Sequence, residues 1–298
     1  MHGWIILDKP LGLGSTQGVS AVKRALREGG YAPNKRDMPK VGHGGTLDPL
    51  ATGVLPIAVG EATKLAGRML DSDKIYDFTV RFGTQTDTLD LEGQIVAESD
   101  VRPTLAEVEA VLPRFTGPID QVPPAYSALK VDGERAYDLA RKGEEVTLAS
   151  RAVTIRSLVL REATPDSATL TAHVSKGTYI RSLARDIAHV LGTVGHVTML
   201  RRVKAGPFTL ESAISLDKLA DAAKGRTLEH CLLPLRAGLD DIPALSLEPG
   251  QAGALRQGKV LTGIAADDGQ HFALEGDTPV ALVEASDGIV RVVRGFNL

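Results

Sequence analysis

One carboxylate in this chain sits where a backbone can carry it into a pocket. Asp48 follows Gly42, Gly44 and Gly45 and directly precedes Pro49. Proline pushes the residue before it toward extended backbone. Glycines permit conformations in which a backbone closely approaches a ligand. The loop Gly42-His43-Gly44-Gly45-Thr46-Leu47-Asp48-Pro49-Leu50-Ala51-Thr52-Gly53 can therefore present the single carboxylate of Asp48 to a pocket. An Asp that merely caps a turn is the alternative. A carboxylate nucleophile must stay ionised, and a nearby cation secures that. Arg181 is a candidate, in the first turn of an expected helix where the dipole disfavours a cation. Another group should then hold it there; an ordinary surface arginine is the alternative.

Lys176-Gly177-Thr178-Tyr179 leads into the same helix, and a helix start with a Gly and a Lys suits a phosphate. Tyr76 and Tyr179 offer faces on which a base can stack, or else they are core aromatics with satisfied hydroxyls. His43 has no metal-ligand spacing to another His or to Cys, so no zinc site is expected. Neither a Walker A pattern nor GxGxxG occurs, so no nucleotide cofactor is indicated.

The elements that must position these residues follow from periodicity. Residues 3–8 read as a strand ended by Pro10. Ser15 or Thr16 can cap a helix with Val19, Val22 and Leu26 on one face, closed by Gly29. A basic loop with Lys35, Arg36 and Lys40 follows. Val54–Val59 reads as a buried strand and Glu61–Leu70 as a helix. Tyr76, Phe78, Val80 and Phe82 alternate along a half-buried strand. Thr84–Gly93 reads as a polar turn, and Thr104 with Glu107 forms a capping box for a helix through Leu112. Residues 118–133 look irregular. Strands are expected near 152–160, 168–174 and 196–204. A helix over 179–191 should bury Ile180, Leu183, Ile187 and Val190. Beyond about 240 the pattern changes to short strands separated by Gly and Asp turns. The fold class is α+β, with a mainly antiparallel sheet and a small terminal β-barrel.

Composition bounds the function. The chain has 298 residues, 43% of them apolar, ample for a core. Cys231 is the single cysteine, so an internal disulfide and a multi-cysteine metal site are excluded and a reducing cytoplasm is expected. The apolar run Trp4–Leu7 is too short for a leader, and no apolar run reaches the ~18 residues of a membrane span. The net charge of −3 hides an uneven distribution. Residues 126–210 hold 13 Lys/Arg against 8 Asp/Glu, and residues 211–298 hold 8 against 13. A basic middle is the footprint of a phosphate backbone, or simply a solvated charged surface.

Taken together, the motifs resemble the TruB-type tRNA pseudouridine synthases. The matching segments are Leu7-Asp8-Lys9-Pro10, Gly42–Gly53 running on to Leu55-Pro56, and Gly60-Glu61-Ala62-Thr63-Lys64. They continue with Leu70-Asp71-Ser72-Asp73-Lys74 and Tyr76, Thr86-Asp87-Thr88 with Asp90 and Gly93, and Pro123-Pro124 with Tyr126-Ser127-Ala128-Leu129-Lys130. Ser175–Leu183 and Leu200-Arg201-Arg202 complete a set covering residues 3 to about 220.

The resemblance implies a pseudouridine-synthase-like catalytic domain over 1–240 and a small PUA-like RNA-binding barrel over 241–298. It implies isomerisation of uridine 55 in the T-loop of tRNA by base flipping, with no metal and no organic cofactor. Asp48 is then the nucleophile, Arg181 its ion-pair partner, and Tyr76 the residue stacked on the flipped base. Tyr179 and Leu200 become pocket walls, and His43 fills the space the base vacates. Asp90 and Lys176 are further substrate-binding positions. The expected partner is the T-stem-loop, and a cytoplasmic monomer is expected. Two other classes share parts of this pattern: a non-catalytic tRNA-binding protein, and a carboxylate-dependent hydrolase, which usually needs a second carboxylate beside the first.

Overall fold

The computed structural model describes residues 1–34, 36–127, 129–131, 134–142 and 148–298, the side chains at 130, 131, 135, 140 and 141 excepted. Lys35 of the basic loop, Ala128 of the Tyr126–Lys130 motif and Gly133 lie outside the described residues.

The chain runs through β1 (Gly3–Lys9), α1 (Ser15–Glu28), β2 (Val41–His43), β3 (Ala51–Val59), α2 (Ala66–Asp71), β4 (Lys74–Phe82), β5 (Thr84–Thr86) and β6 (Ile95–Glu98). It continues with α3 (Leu105–Val111), β7 (Gly117–Gln121), β8 (Lys130–Val131), β9 (Glu134–Arg135), α4 (Ala136–Arg141), β10 (Arg151–Thr164) and β11 (Ser167–Val174). Then come α5 (Ile180–Val190), β12 (Gly195–Ala205), β13 (Phe208–Thr209) and α6 (Leu216–Lys224). The C-terminal part holds β14 (Ala244–Ser246), α7 (Pro249–Arg256), β15 (Leu261–Thr262), β16 (Gly269–Glu275), β17 (Thr278–Ser286) and β18 (Ile289–Gly295).

The central sheet has the order β1-β3-β12-β4-β11-β10-β7, with β2 on β3 and β13 on β12. Among the described residues its pairings are antiparallel except β3 with β12. This is the expected α+β fold with a mainly antiparallel sheet. Phe78, Val80 and Phe82 are buried against Leu183 and Ile187 of α5, as the two periodicities require. A second cluster packs Val22 and Leu26 of α1 and Leu219 of α6 onto Leu7, Leu55 and Ile57. Tyr76 and Leu200 are half-buried and pack against both clusters, so they lie where the two cores meet.

Several local expectations change. Gly14, not Ser15 or Thr16, is the N-cap of α1, because the Ser15 hydroxyl is spent elsewhere. The expected helix over Glu61–Leu70 is a 3-10 helix, Gly60–Leu65, followed by the short α2. The Thr84–Gly93 turn opens with β5, which pairs with β6. The region read as irregular contains β7, hydrogen-bonded to β10. Val190 is 40% exposed, since α5 ends there and its last turn leaves the core.

The C-terminal sheet has the order β14-β16-β17-β18-β15 and is PUA-like, with the unexpected helix α7 packed on it. It is not hung on a linker. Phe272, Leu282 and Phe296 share one buried cluster with Trp4, Ile6 and Val54 of the central sheet. Polar contacts reinforce this: Lys64 Nζ donates to the Gly295 carbonyl at 2.8 Å, and Asn297 N to Glu61 at 2.8 Å. No helix among the described residues is long and apolar enough to cross a membrane.

Candidate active site

The glycine loop is gripped on both sides of Asp48. Ser15, in the first turn of α1, donates its hydroxyl to the Leu47 carbonyl at 2.9 Å and accepts from Leu47 N at 2.8 Å. Lys9, at the end of β1, donates to the Pro49 carbonyl at 3.2 Å, and also to Leu13 O and Pro10 O. Arg202 of β12 donates to Val54 O at 2.7 Å, Thr46 O at 3.3 Å and Gly45 O at 3.1 Å. Lys9 and Arg202 are 0% and 1% exposed. A buried cation usually pairs with a carboxylate; these two instead hold carbonyl oxygens. Burial pushes the Lys9 ammonium down to about 8, partly opposed by the charge of Asp48 and reinforced by Arg202.

The backbone permits this grip at two glycines. Gly45 has φ +134°, a region an L side chain rarely adopts. At Gly53, φ is +100° and an added Cβ would lie 2.2 Å from the Arg202 carbonyl across the parallel β3–β12 pairing. Lys9 and Arg202 entered the sequence reading only as members of motifs. Their partners lie 40 and up to 157 residues away, so no local pattern announces the anchoring role.

Arg181 Nη2 stands 3.0 Å from Asp48 Oδ2, and Nη1 stands 3.3 Å from Asp90 Oδ2. The same nitrogens donate to Thr88 O at 2.9 Å and Tyr126 O at 3.0 Å. These partners explain how a cation sits at the second residue of α5. Asp90 is itself buried and accepts from the Thr88 hydroxyl at 2.6 Å and from Glu92 N at 3.0 Å. The Asp48 side chain is 42% exposed and the Arg181 side chain 7%. One carboxylate thus faces the cavity while its counter-ion is walled in.

A cleft of about 1000 Å³ opens over this pair. His43, Tyr76, Asp90, Tyr179 and Leu200 line it together with Asp48 and Arg181. Tyr76 and Leu200 come from the adjacent strands β4 and β12, which place them on the floor. Tyr179 is the N-cap of α5. His43 ends β2; burial and then Arg202 lower its pKa, and its Nδ1 has no hydrogen-bond partner among the described residues. Lys176 does not line the cleft; it is exposed and ion-paired with Asp71 at 3.0 Å. A cavity-facing carboxylate, a locked counter-ion and apolar walls of Tyr and Leu suit covalent chemistry on a planar, uncharged ring.

Comparison with known proteins agrees with this architecture. Residues 34–180 match the TruB family pseudouridylate synthase N-terminal domain, and residues 181–240 the tRNA pseudouridylate synthase B C-terminal domain. The chain is 69% identical over 303 residues to tRNA pseudouridine synthase B of Novosphingobium aromaticivorans, covering 100% of this chain and 98% of that one. It is 61% identical over 297 residues to the same-named protein of Zymomonas mobilis, covering 100% and 96%. Among solved structures, a chain from a Cbf5-Nop10-Gar1 complex aligns over 99% of this chain and 85% of its own, with TM-score 0.75 and 25% identity. The fold is thus that of a pseudouridine synthase. The chain belongs to the TruB family of pseudouridylate synthases.

Proposed function

We propose that this enzyme isomerises uridine 55 in the T-loop of tRNA to pseudouridine, with Asp48 as nucleophile. The observation that carries this reading is the Asp48–Arg181 pair, a cavity-facing carboxylate 3.0 Å from a buried guanidinium. The relatives' printed name, tRNA pseudouridine synthase B, supplies the substrate class.

The target uracil leaves the stack at a cost of a few kcal/mol. Tyr76 stacks on the flipped base, Tyr179 and Leu200 flank it, and His43 occupies the space it leaves. The bond from ribose C1′ to N1 breaks, the base turns, C5 bonds to C1′ and gives up its hydrogen to solvent, and N1 ends protonated. Attack by Asp48 on C1′ or C6, or its assistance of a glycal-like intermediate, all require a carboxylate aimed into the cleft, which the pair with Arg181 holds in place. Asp90 acts on substrate indirectly, through its hold on Arg181. Lys176 serves the RNA backbone once it exchanges Asp71 for a phosphate. On this reading residues 1–240 carry the chemistry and 241–298 add a PUA-like RNA contact.

An unmodified tRNA transcript tritiated at uridine C5 tests the reading. Isomerisation releases the label, and a transcript with cytidine in place of uridine 55 releases none. Binding without release, or release of free base, sinks the proposal.

A further inference from the structure

Two residues outside the Asp48–Arg181 pair converge on Tyr179. Gln121 is the last residue of β7 and is 0% exposed. Its amide faces the Tyr179 backbone in both directions: Nε2 donates to Tyr179 O at 3.1 Å, and Oε1 accepts from Tyr179 N at 2.8 Å. Arg151 opens β10 and is the cross-strand partner of Gln121. Its guanidinium carbon lies 5.9 Å from the centre of the Tyr179 ring, within cation–π range. An added Cβ at Gly177 would sit 3.7 Å from Arg151 Nη1, so the turn before α5 packs against the guanidinium as well. Among the described residues no carboxylate forms an ion pair with Arg151.

We propose that Gln121 and Arg151 are positioning residues that clamp Tyr179, Gln121 by its backbone and Arg151 by its ring, so that the phenol wall stands fixed before substrate enters. The inference rests on the reading of Tyr179 as a wall of the uridine site. The physical argument is one of entropy and direction. A Tyr at a helix N-cap loses rotamer freedom when its ring is ordered, and its backbone is only half in the helix. The two amide hydrogen bonds set the backbone. The cation sets the ring plane, because attraction falls away when the guanidinium leaves the face. Antiparallel register ties the two grips together: a slip of one residue would turn either Gln121 or Arg151 to the other face of the sheet. The clamp also reaches Arg181, because Tyr179 O accepts the first helical hydrogen bond of α5, from Leu183 N at 3.0 Å. Burial pushes the Tyr179 phenol above its ordinary pKa, and Arg151 is the largest influence opposing that rise.

The test uses the full chain and the C5-tritiated transcript in single turnover. Arg151→Gln should lower the rate constant at saturating RNA about five- to tenfold, as loss of one cation–π contact implies. RNA affinity and its salt slope should stay unchanged, and Arg151→Lys should recover most of the rate. In a Tyr179→Leu background Arg151→Gln should add less than about a twofold loss, because partners in one contact are non-additive. Multiplicative losses, or a shallower salt slope, overturn the clamp and make Arg151 a phosphate ligand instead. A second measurement is independent of turnover. Ring-labelled tyrosine NMR on the free enzyme should show the Tyr179 phenol titrating higher in Arg151→Gln. An unmoved titration overturns the pairing, whereas a wild-type enzyme that releases no label sinks the proposed function and leaves this readout intact.

Discussion

Arg181 and Asp48 form an ion pair whose two halves live in different solvents. The guanidinium side chain is 7% exposed and the carboxylate 42%, with 3.0 Å between them. Arg181 keeps three further acceptors, Thr88 O, Tyr126 O and Asp90, when Asp48 loses its charge. Replacing Asp48 therefore leaves no uncompensated buried charge, the usual source of a large loss.

Asp48→Asn should accordingly abolish turnover while keeping fold and RNA. The amide preserves shape and removes the carboxylate proposed as nucleophile. Binding of tRNA should remain within about tenfold, or roughly 1.4 kcal/mol. Pseudouridine above a few per cent of wild type by label release would remove Asp48 from its role.

Lys9 predicts a pH dependence of stability with a definite sign. Its ammonium titrates at about 8 in the fold, against 10.5 ordinarily. Below pH 8 folded and unfolded chains both hold the proton, so the group adds no slope. Between 8 and 10.5 the unfolded chain holds a proton the folded chain lacks, and stability rises by up to ~1.4 kcal/mol per pH unit. Urea melts of wild type and Lys9→Met should diverge between pH 7.5 and 9.5, with wild type gaining. A constant difference would mean that Lys9 titrates normally.

Binding of tRNA should weaken steeply with salt. Residues 126–210 hold 13 Lys/Arg against 8 Asp/Glu, and those of the cations that are exposed, unlike the buried Arg181 and Arg202, should supply phosphate contacts. Each phosphate neutralised adds about 0.7–0.9 to the slope of log affinity on log salt. A flat profile from low to moderate salt would exclude a polyanion as the partner.

The C-terminal sheet should prove coupled to the central one. Phe296 is 3% exposed in the cluster that holds Trp4 and Ile6. Phe296→Ala should cost about 3–5 kcal/mol. Trp4 is the single tryptophan, fully buried with its ring 5.2 Å from that of Phe208, so its fluorescence reports this cluster. The variant should melt earlier by that signal. A fragment ending at residue 240 with the melting profile of the whole chain would show that the tail only rests on the core.

Much of the site was legible in the chain because it is written locally. Glycines around Asp48, the alternation through Tyr76 to Phe82 and the apolar stripe of α5 each follow from backbone sterics or periodicity within a dozen residues. The order of the motifs was sufficient to indicate the family. What the sequence could not determine is which distant groups meet. Lys9 and Arg202 hold the Asp48 loop through carbonyls, and every residue offers a carbonyl, so no residue type marks the partner. The same holds for Gln121 on the Tyr179 backbone. Asp90 looks like any turn aspartate until Arg181 arrives from 91 positions later. The tail reads as a separate unit because composition changes near 240, whereas only packing brings Phe272, Leu282 and Phe296 onto Trp4 and Ile6. Local patterns state what a segment prefers; the pairing of buried cations with carbonyls and of one apolar face with another is settled only when the whole chain excludes water.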